Sequence, residues 1–171
     1  MGVSNGTASD VSTFFTQEEI NKIYQRFKKL DKDGNDELTP EEFLDIPALT
    51  NNPLVHRVIK VFDKNKDGKI SFLEFLGGLA TLSTGANDEE KLKFVFKVYD
   101  FDDDEVISNG DLFKVLKMMV GNNLSEVQLQ QLVDRTIINA DKDKDGVINF
   151  EEFCSEVRSL NISKKLTLTY K

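Results

Sequence analysis

The chain has 171 residues, 39% hydrophobic and 30% charged, which suffices for one or two small globular domains and excludes disorder along the whole length. Lys and Arg number 22 against 30 Asp and Glu, and the net charge of −8 argues against nucleic acid or an anionic membrane surface as partner. The single cysteine, Cys154, allows no internal disulfide, fits a reducing cytoplasmic setting and, next to Phe153, reads as a small buried hydrophobe.

Residues 1–15 carry no Lys or Arg and no apolar run of signal-peptide length, so they read as an N-terminal extension. Thr16 with Glu19 forms a capping box, and Ile20, Ile23, Tyr24, Phe27 and Leu30 follow at helical spacing. An acid-rich segment then begins at Asp31, DKDGNDELTPEE. Asn52-Pro53 reads as N-cap and first helical position of a helix carrying Leu54, Val55, Val58, Ile59 and Phe62. A second acidic segment, DKNKDGKISFLE, starts at Asp63 and runs into Phe72, Phe75, Leu76 and Leu79. The polar connection from Ser83 to Asp88 is the longest of its kind and divides the chain into lobes 16–84 and 85–160, followed by a tail over 161–171.

The second lobe repeats the order. Leu92, Val95, Phe96 and Tyr99 lead into DFDDDEVISNGD from Asp100, and Leu112, Phe113, Val115, Leu116 and Met119 lead out, with Gly121 as the stop. Ser125 with Gln128 caps the next helix, which carries Leu129, Leu132, Val133 and Ile137 into DKDKDGVINFEE from Asp141 and out through Phe150, Phe153 and Val157. No stretch approaches the roughly 18 apolar residues of a transmembrane helix.

The four acidic segments are an internal repeat. Each has Asp or Asn at positions 1, 3 and 5, an aliphatic at position 8 (Leu38, Ile70, Ile107, Ile148) and a carboxylate at position 12. A hard cation such as Ca²⁺ needs six to eight oxygens, and a 12-residue EF-hand loop supplies them from positions 1, 3, 5, 7, 9 and 12, position 7 through its carbonyl and position 9 often through water. The ligands expected are Asp31, Asp33, Asn35, Glu37 and Glu42 in loop one, and Asp63, Asn65, Asp67, Lys69 and Glu74 in loop two. Loop three offers Asp100, Asp102, Asp104, Val106 and Asp111, and loop four Asp141, Asp143, Asp145, Val147 and Glu152. The fold class expected is all-α, four EF-hands paired in two lobes, with a short two-stranded ribbon through the position-8 residues of each pair. Up to four Ca²⁺ would bring the charge of −8 to zero, relieving carboxylate repulsion and favouring association with a partner.

Position 6 requires a left-handed backbone, which Gly68 and Gly146 supply and Asp36 tolerates. Loop three departs twice, with Glu105 at position 6 and the shorter Asp111 at position 12. It is therefore expected to be the weakest Ca²⁺ site and to suit Mg²⁺. With one histidine, His56, beside Arg57 on a helix, and one cysteine, no catalytic constellation can be assembled, so the chain reads as non-enzymatic. The run Val115 to Val120 places apolar residues on more than one helical face, and Met118 and Met119 suit an adaptable partner surface.

Beyond the loops, the segments ISNGDLFKVLKMMVGNNL from Ile107 and QLQQLVDRTIINADKDKDG from Gln128 resemble the regulatory B subunit of calcineurin, a Ca²⁺/calmodulin-dependent Ser/Thr phosphatase, over essentially the whole chain. Loop starts separated by 32, 37 and 41 residues also differ from the even spacing of calmodulin. The resemblance implies a calcium-sensing, non-catalytic regulatory subunit that binds an amphipathic helix of the catalytic A subunit. It further implies that Leu116, Met118, Met119, Asn122, Asn123 and Leu124 lie near the subunit junction, where substrate docking motifs and immunophilin–drug complexes bind. An N-terminal myristoyl group on Gly2 is implied as well, although Gly6 stands where the acylation pattern has Ser or Thr. One such chain gives only weak membrane binding. The alternatives are a calcineurin-B-like or neuronal-type sensor for another target, and a plain Ca²⁺ buffer.

Overall fold

The computed structural model describes residues 13–83 and 87–159. They form two compact units dividing between Asn87 and Asp88. The first contains α1 (Gln17–Leu30), β1 (Glu37–Leu38), α2 (Pro40–Leu44), α3 (Val55–Phe62), β2 (Ile70–Ser71) and α4 (Phe72–Leu82). The second contains α5 (Asp88–Tyr99), α6 (Asn109–Val120), α7 (Glu126–Ala140) and α8 (Phe150–Ser159). Each unit is thus two helix-loop-helix hairpins, and α1 packs on α4 as α5 packs on α8.

The capping boxes at Thr16/Glu19 and Ser125/Gln128 form as expected. The start of α3 differs. Asn52 Oδ1 accepts the Leu54 N–H at 2.9 Å, so Pro53 and Leu54 make a turn and the helix opens at Val55 instead of Pro53. Gly121 closes α6 at φ 57°, its N–H donating to the Lys117 carbonyl at 2.9 Å.

Position 8 carries the pairing between loops. Leu38 and Ile70 are fully buried and pair antiparallel within a two-residue ribbon, Glu37 opposite Ser71. In the second unit the expected ribbon contracts to a single bridge, Ile107 and Ile148 exchanging N–H···O bonds of 2.8 and 2.9 Å. The first core is a phenylalanine cluster in which Phe75 stands 5.6 Å from Phe27 and 6.2 Å from Phe43 by ring centroids. The second gathers Leu92, Phe96, Val133, Phe153 and Cys154 about the Ile107–Ile148 bridge. Cys154 is buried, which pushes its thiol pKa up. Tyr24 at 40%, Leu132 at 42% and Met119 at 48% exposure are less enclosed than their spacing implies, and Arg57 is buried while His56 faces solvent.

Candidate metal centres

The four loops share one internal hydrogen-bond scheme. The position-1 carboxylate accepts the N–H of positions 5 and 6 on its two oxygens: Asp31 from Asn35 and Asp36 at 3.1 and 2.9 Å, Asp63 from Asp67 and Gly68 at 3.2 and 2.9 Å. Asp100 accepts from Asp104 and Glu105 at 3.1 and 2.9 Å, and Asp141 from Asp145 and Gly146 at 3.2 and 2.8 Å. The position-5 side chain then accepts the position-7 N–H, for example Asn35 from Glu37 at 2.9 Å and Asp104 from Val106 at 3.1 Å. With these amides turned to the carboxylates, the position-7 carbonyl is left as a donor to a cation.

This curvature demands left-handed backbone twice per loop. Position 6 has φ of 64° at Asp36, 83° at Gly68, 69° at Glu105 and 89° at Gly146. Position 4 is left-handed as well, with φ 70° at Gly34, 59° at Lys66, 58° at Asp103 and 63° at Lys144. The second requirement is not evident in the sequence, because lysine and aspartate occupy it as readily as glycine.

Position 12 does double duty. Thr39, Ser71 and Ser108 at position 9 are N-caps of the exiting helices, and Glu42, Glu74 and Asp111 at position 12 are their N3 residues, completing capping boxes. The glutamates also reach across the loop: Glu42 Oε1 accepts the Lys32 N–H at 2.8 Å, Glu74 Oε1 the Asn65 N–H at 3.2 Å, and Glu152 Oε1 the Lys142 N–H at 2.8 Å. Asp111, shorter by a methylene, accepts the Ser108 N–H at 3.1 Å, at its own end of the loop.

Carboxylate oxygens converge to within 4.8 Å of one another in three sets: Asp31, Asp33 and Glu42; Asp100, Asp102, Asp104 and Asp111; Asp141, Asp143 and Asp145. Among the described residues the acids of loop two, whose position 3 is Asn65, form no such set. An all-oxygen donor set on a preformed loop fits a hard divalent cation and would hold it through the residues named above.

The electrostatics differ between loops. Burial pushes Asp31 up, but the Asp36 N–H, the Lys28 ammonium and the Asn35 N–H outweigh it and hold its carboxyl below the ordinary range. The Thr39 N–H, with those of Lys32 and Asp33, likewise lowers Glu42. At Asp100, 4% exposed, burial prevails and raises the pKa, assisted by repulsion from Asp104 and Asp103. Position 7 ligates through its carbonyl, and its side chain has a further use in the first unit, where Lys69 Nζ and Glu37 Oε2 pair at 3.4 Å between the two loops.

The residues expected at a partner surface lie on α6 and the turn after it. Leu116 packs partly against the second core, Met118 and Met119 are 40% and 48% exposed, Asn122 and Asn123 face solvent, and Leu124 is half-buried. Tyr99 Oη stands 4.0 Å from the Met119 sulfur. Gly2 lies outside the described residues, as do most of the N-terminal extension, the 161–171 tail and part of the connection between lobes. Among the described residues no helix is long and apolar enough to cross a membrane.

Two pairs of helix-loop-helix units with oxygen-rich loops define an EF-hand protein, a class that binds Ca²⁺, and the family model for an EF-hand domain pair matches residues 20–79 and 89–158. The chain is 56% identical over 156 residues to the calcineurin B subunit of Naegleria gruberi, spanning 91% of this chain and 88% of that one. It is 55% identical over 157 residues to the type 1 calcineurin B subunit of Dictyostelium discoideum, covering 91% and 87%. Against the human type 2 calcineurin B subunit it is 52% identical over 168 residues, covering 98% and 99%. The chain belongs to the calcineurin B family of non-catalytic regulatory subunits.

Proposed function

We propose that this chain binds Ca²⁺ in its EF-hand loops and, as a regulatory subunit, seats an amphipathic helix of the catalytic A subunit of calcineurin on the apolar surface of its helix pairs. The observation that carries this reading is the family match across nearly the whole chain, joined to exposed Met118 and Met119 on α6. Methionines left in solvent beside a complete core are adaptable surface for a partner helix.

Loops one, two and four take Ca²⁺ through the position-1, 3, 5, 7 and 12 groups named above, making four sites with loop three. Loop three is the weakest, because Asp111 reaches less far and Glu105 occupies a left-handed position, and its monodentate aspartate also suits Mg²⁺. The surface from Leu116 to Leu124 lies at the junction with the catalytic partner and there meets substrate docking motifs and immunophilin–drug complexes. Gly2 is the acylation site, giving weak peripheral membrane contact in an otherwise cytoplasmic complex.

A pull-down of the tagged chain from its native lysate, in Ca²⁺ and in chelator, tests this reading. A larger co-purifying chain with Ca²⁺/calmodulin-stimulated phosphatase activity in both conditions is expected. A partner lacking that activity would establish a sensor for another target, and the absence of any partner would establish a buffer.

A further inference from the structure

Lys28, on the last turn of α1, extends its ammonium along the outside of loop one. Its Nζ lies 3.3 Å from Asp31 Oδ2 and 2.5 Å from Asp36 Oδ1. Asp31 is the position-1 ligand, its side chain fully enclosed, and Asp36 is the residue at position 6. The Lys28 side chain is itself only 35% exposed, so this cation is held against the loop and not merely solvated beside it. At the side-chain ligand positions 1, 3, 5 and 12, loop one carries one carboxylate fewer than loops three and four, since Asn35 fills position 5. A fixed positive charge on Asp31 Oδ2 therefore offsets a larger share of the negative charge on which a metal ion would draw.

The register of this lysine recurs. Three residues before position 1 stand Lys28, Lys60 and Lys97 in the first three repeats, and Ile138 in the fourth. Ile138 is 75% exposed, so the fourth loop has no ammonium at this place and has room for one. The acid at position 6, which gives Lys28 its second partner, is Gly146 in loop four.

We propose that Lys28 is an internal counter-cation of loop one that lowers the loop's affinity for Ca²⁺ while stabilising its carboxylates in the metal-free chain. The physical reason is that ammonium and metal share the Asp31 carboxylate. Without Ca²⁺ the ammonium relieves the repulsion between loop acids. With Ca²⁺ bound, two cations share one carboxylate and repel each other. The inference rests on loop one being a Ca²⁺ site, as proposed above.

The test is stepwise Ca²⁺ calorimetry on the full chain and on Lys28→Met, Lys29→Met, Glu42→Gln, Glu152→Gln and Ile138→Lys. Glu42→Gln identifies the loop-one step by deleting it. Lys28→Met is expected to tighten that step about fivefold, the size of a partly exposed charge interaction, and less at high salt. Lys29→Met, which changes net charge equally at an exposed neighbouring site, is expected to leave it unchanged. Ile138→Lys is expected to weaken the step that Glu152→Gln deletes. Thermal melts supply a second readout of opposite sign, Lys28→Met lowering the transition in chelator and raising it in Ca²⁺. An unchanged loop-one step in Lys28→Met, or equal tightening by Lys29→Met, overturns the proposal alone. Loss of no step in Glu42→Gln overturns loop one as a site and the proposal with it.

Discussion

At the scale of single residues, the loops separate what a metal ligand must be from what the backbone must do. Glu105 holds φ 69° without being glycine, a conformation that costs an ordinary side chain roughly 1–2 kcal/mol. Glu105→Gly is expected to stabilise the metal-free chain by about 1 kcal/mol, read as a higher urea midpoint at unchanged slope. Asp111 sits at the other departure of loop three. Asp111→Glu restores the reach that Glu42 and Glu152 use to span their loops, and stepwise calorimetry is expected to show tighter Ca²⁺ binding at that site alone. Unchanged affinity would mean that position 12 does not limit loop three.

Between elements, contact geometry decides what composition leaves open. Gly77 and Gly78 are adjacent in α4, yet a Cβ on Gly78 would lie 1.9 Å from the Phe62 ring of α3, whereas one on Gly77 meets nothing within 4 Å. Gly78→Ala is expected to destabilise the chain by about 1–3 kcal/mol through overpacking. Gly77→Ala is expected to stabilise it by about 0.5–1 kcal/mol by removing backbone freedom from the unfolded state, and denaturant titration of the pair checks both signs. Across α6 and α7, Asn109 Nδ2 and Gln130 Nε2 each donate to Asp134 Oδ1 at 2.8 Å, and Gln130 also donates to Asn109 Oδ1 at 2.8 Å. Asn109 first, and then Gln130, hold the Asp134 carboxyl below its ordinary value of 3.8. A depressed acid contributes stability that is full above the unfolded value and lost as pH falls through the folded one. Asp134→Asn is therefore expected to flatten the acid limb of the stability curve below about pH 4 and to leave neutral pH less affected, as pH-dependent melts would show.

For the whole molecule, the charge of −8 concentrates in loops whose acids repel until a cation arrives. Ligand that binds only the folded state stabilises it by mass action, about 2.7 kcal/mol per site at free Ca²⁺ a hundredfold above the dissociation constant. Melting in Ca²⁺ and in chelator is expected to differ by this increment for each filled loop, and Glu42→Gln or Glu152→Gln to remove one increment. A transition that chelator does not lower would show that the loops fold without drawing on the ion.

Spacing along the chain was enough to read the repeat, the candidate ligand positions, the helices flanking each loop and the position-8 aliphatics that pair the loops. All of these follow from local spacing and from the requirement that a hard cation be met by oxygen. The sequence also carried the family, through segments outside the loops as well as the loops themselves. The remaining features depend on how the chain meets itself in space. The left-handed turn at position 4 is set by amides bending toward the position-1 carboxylate, and Lys66 and Lys144 there give no outward sign of it. The ribbon of the second unit shrank to one bridge, and Tyr24 and Leu132 remained partly in solvent, because helical spacing defines a face but not how far a neighbouring helix covers it. The grip of Lys28 on Asp31 and Asp36 depends on where the end of α1 meets the loop, and a lysine in a charged run declares no partner until the backbone brings one within reach.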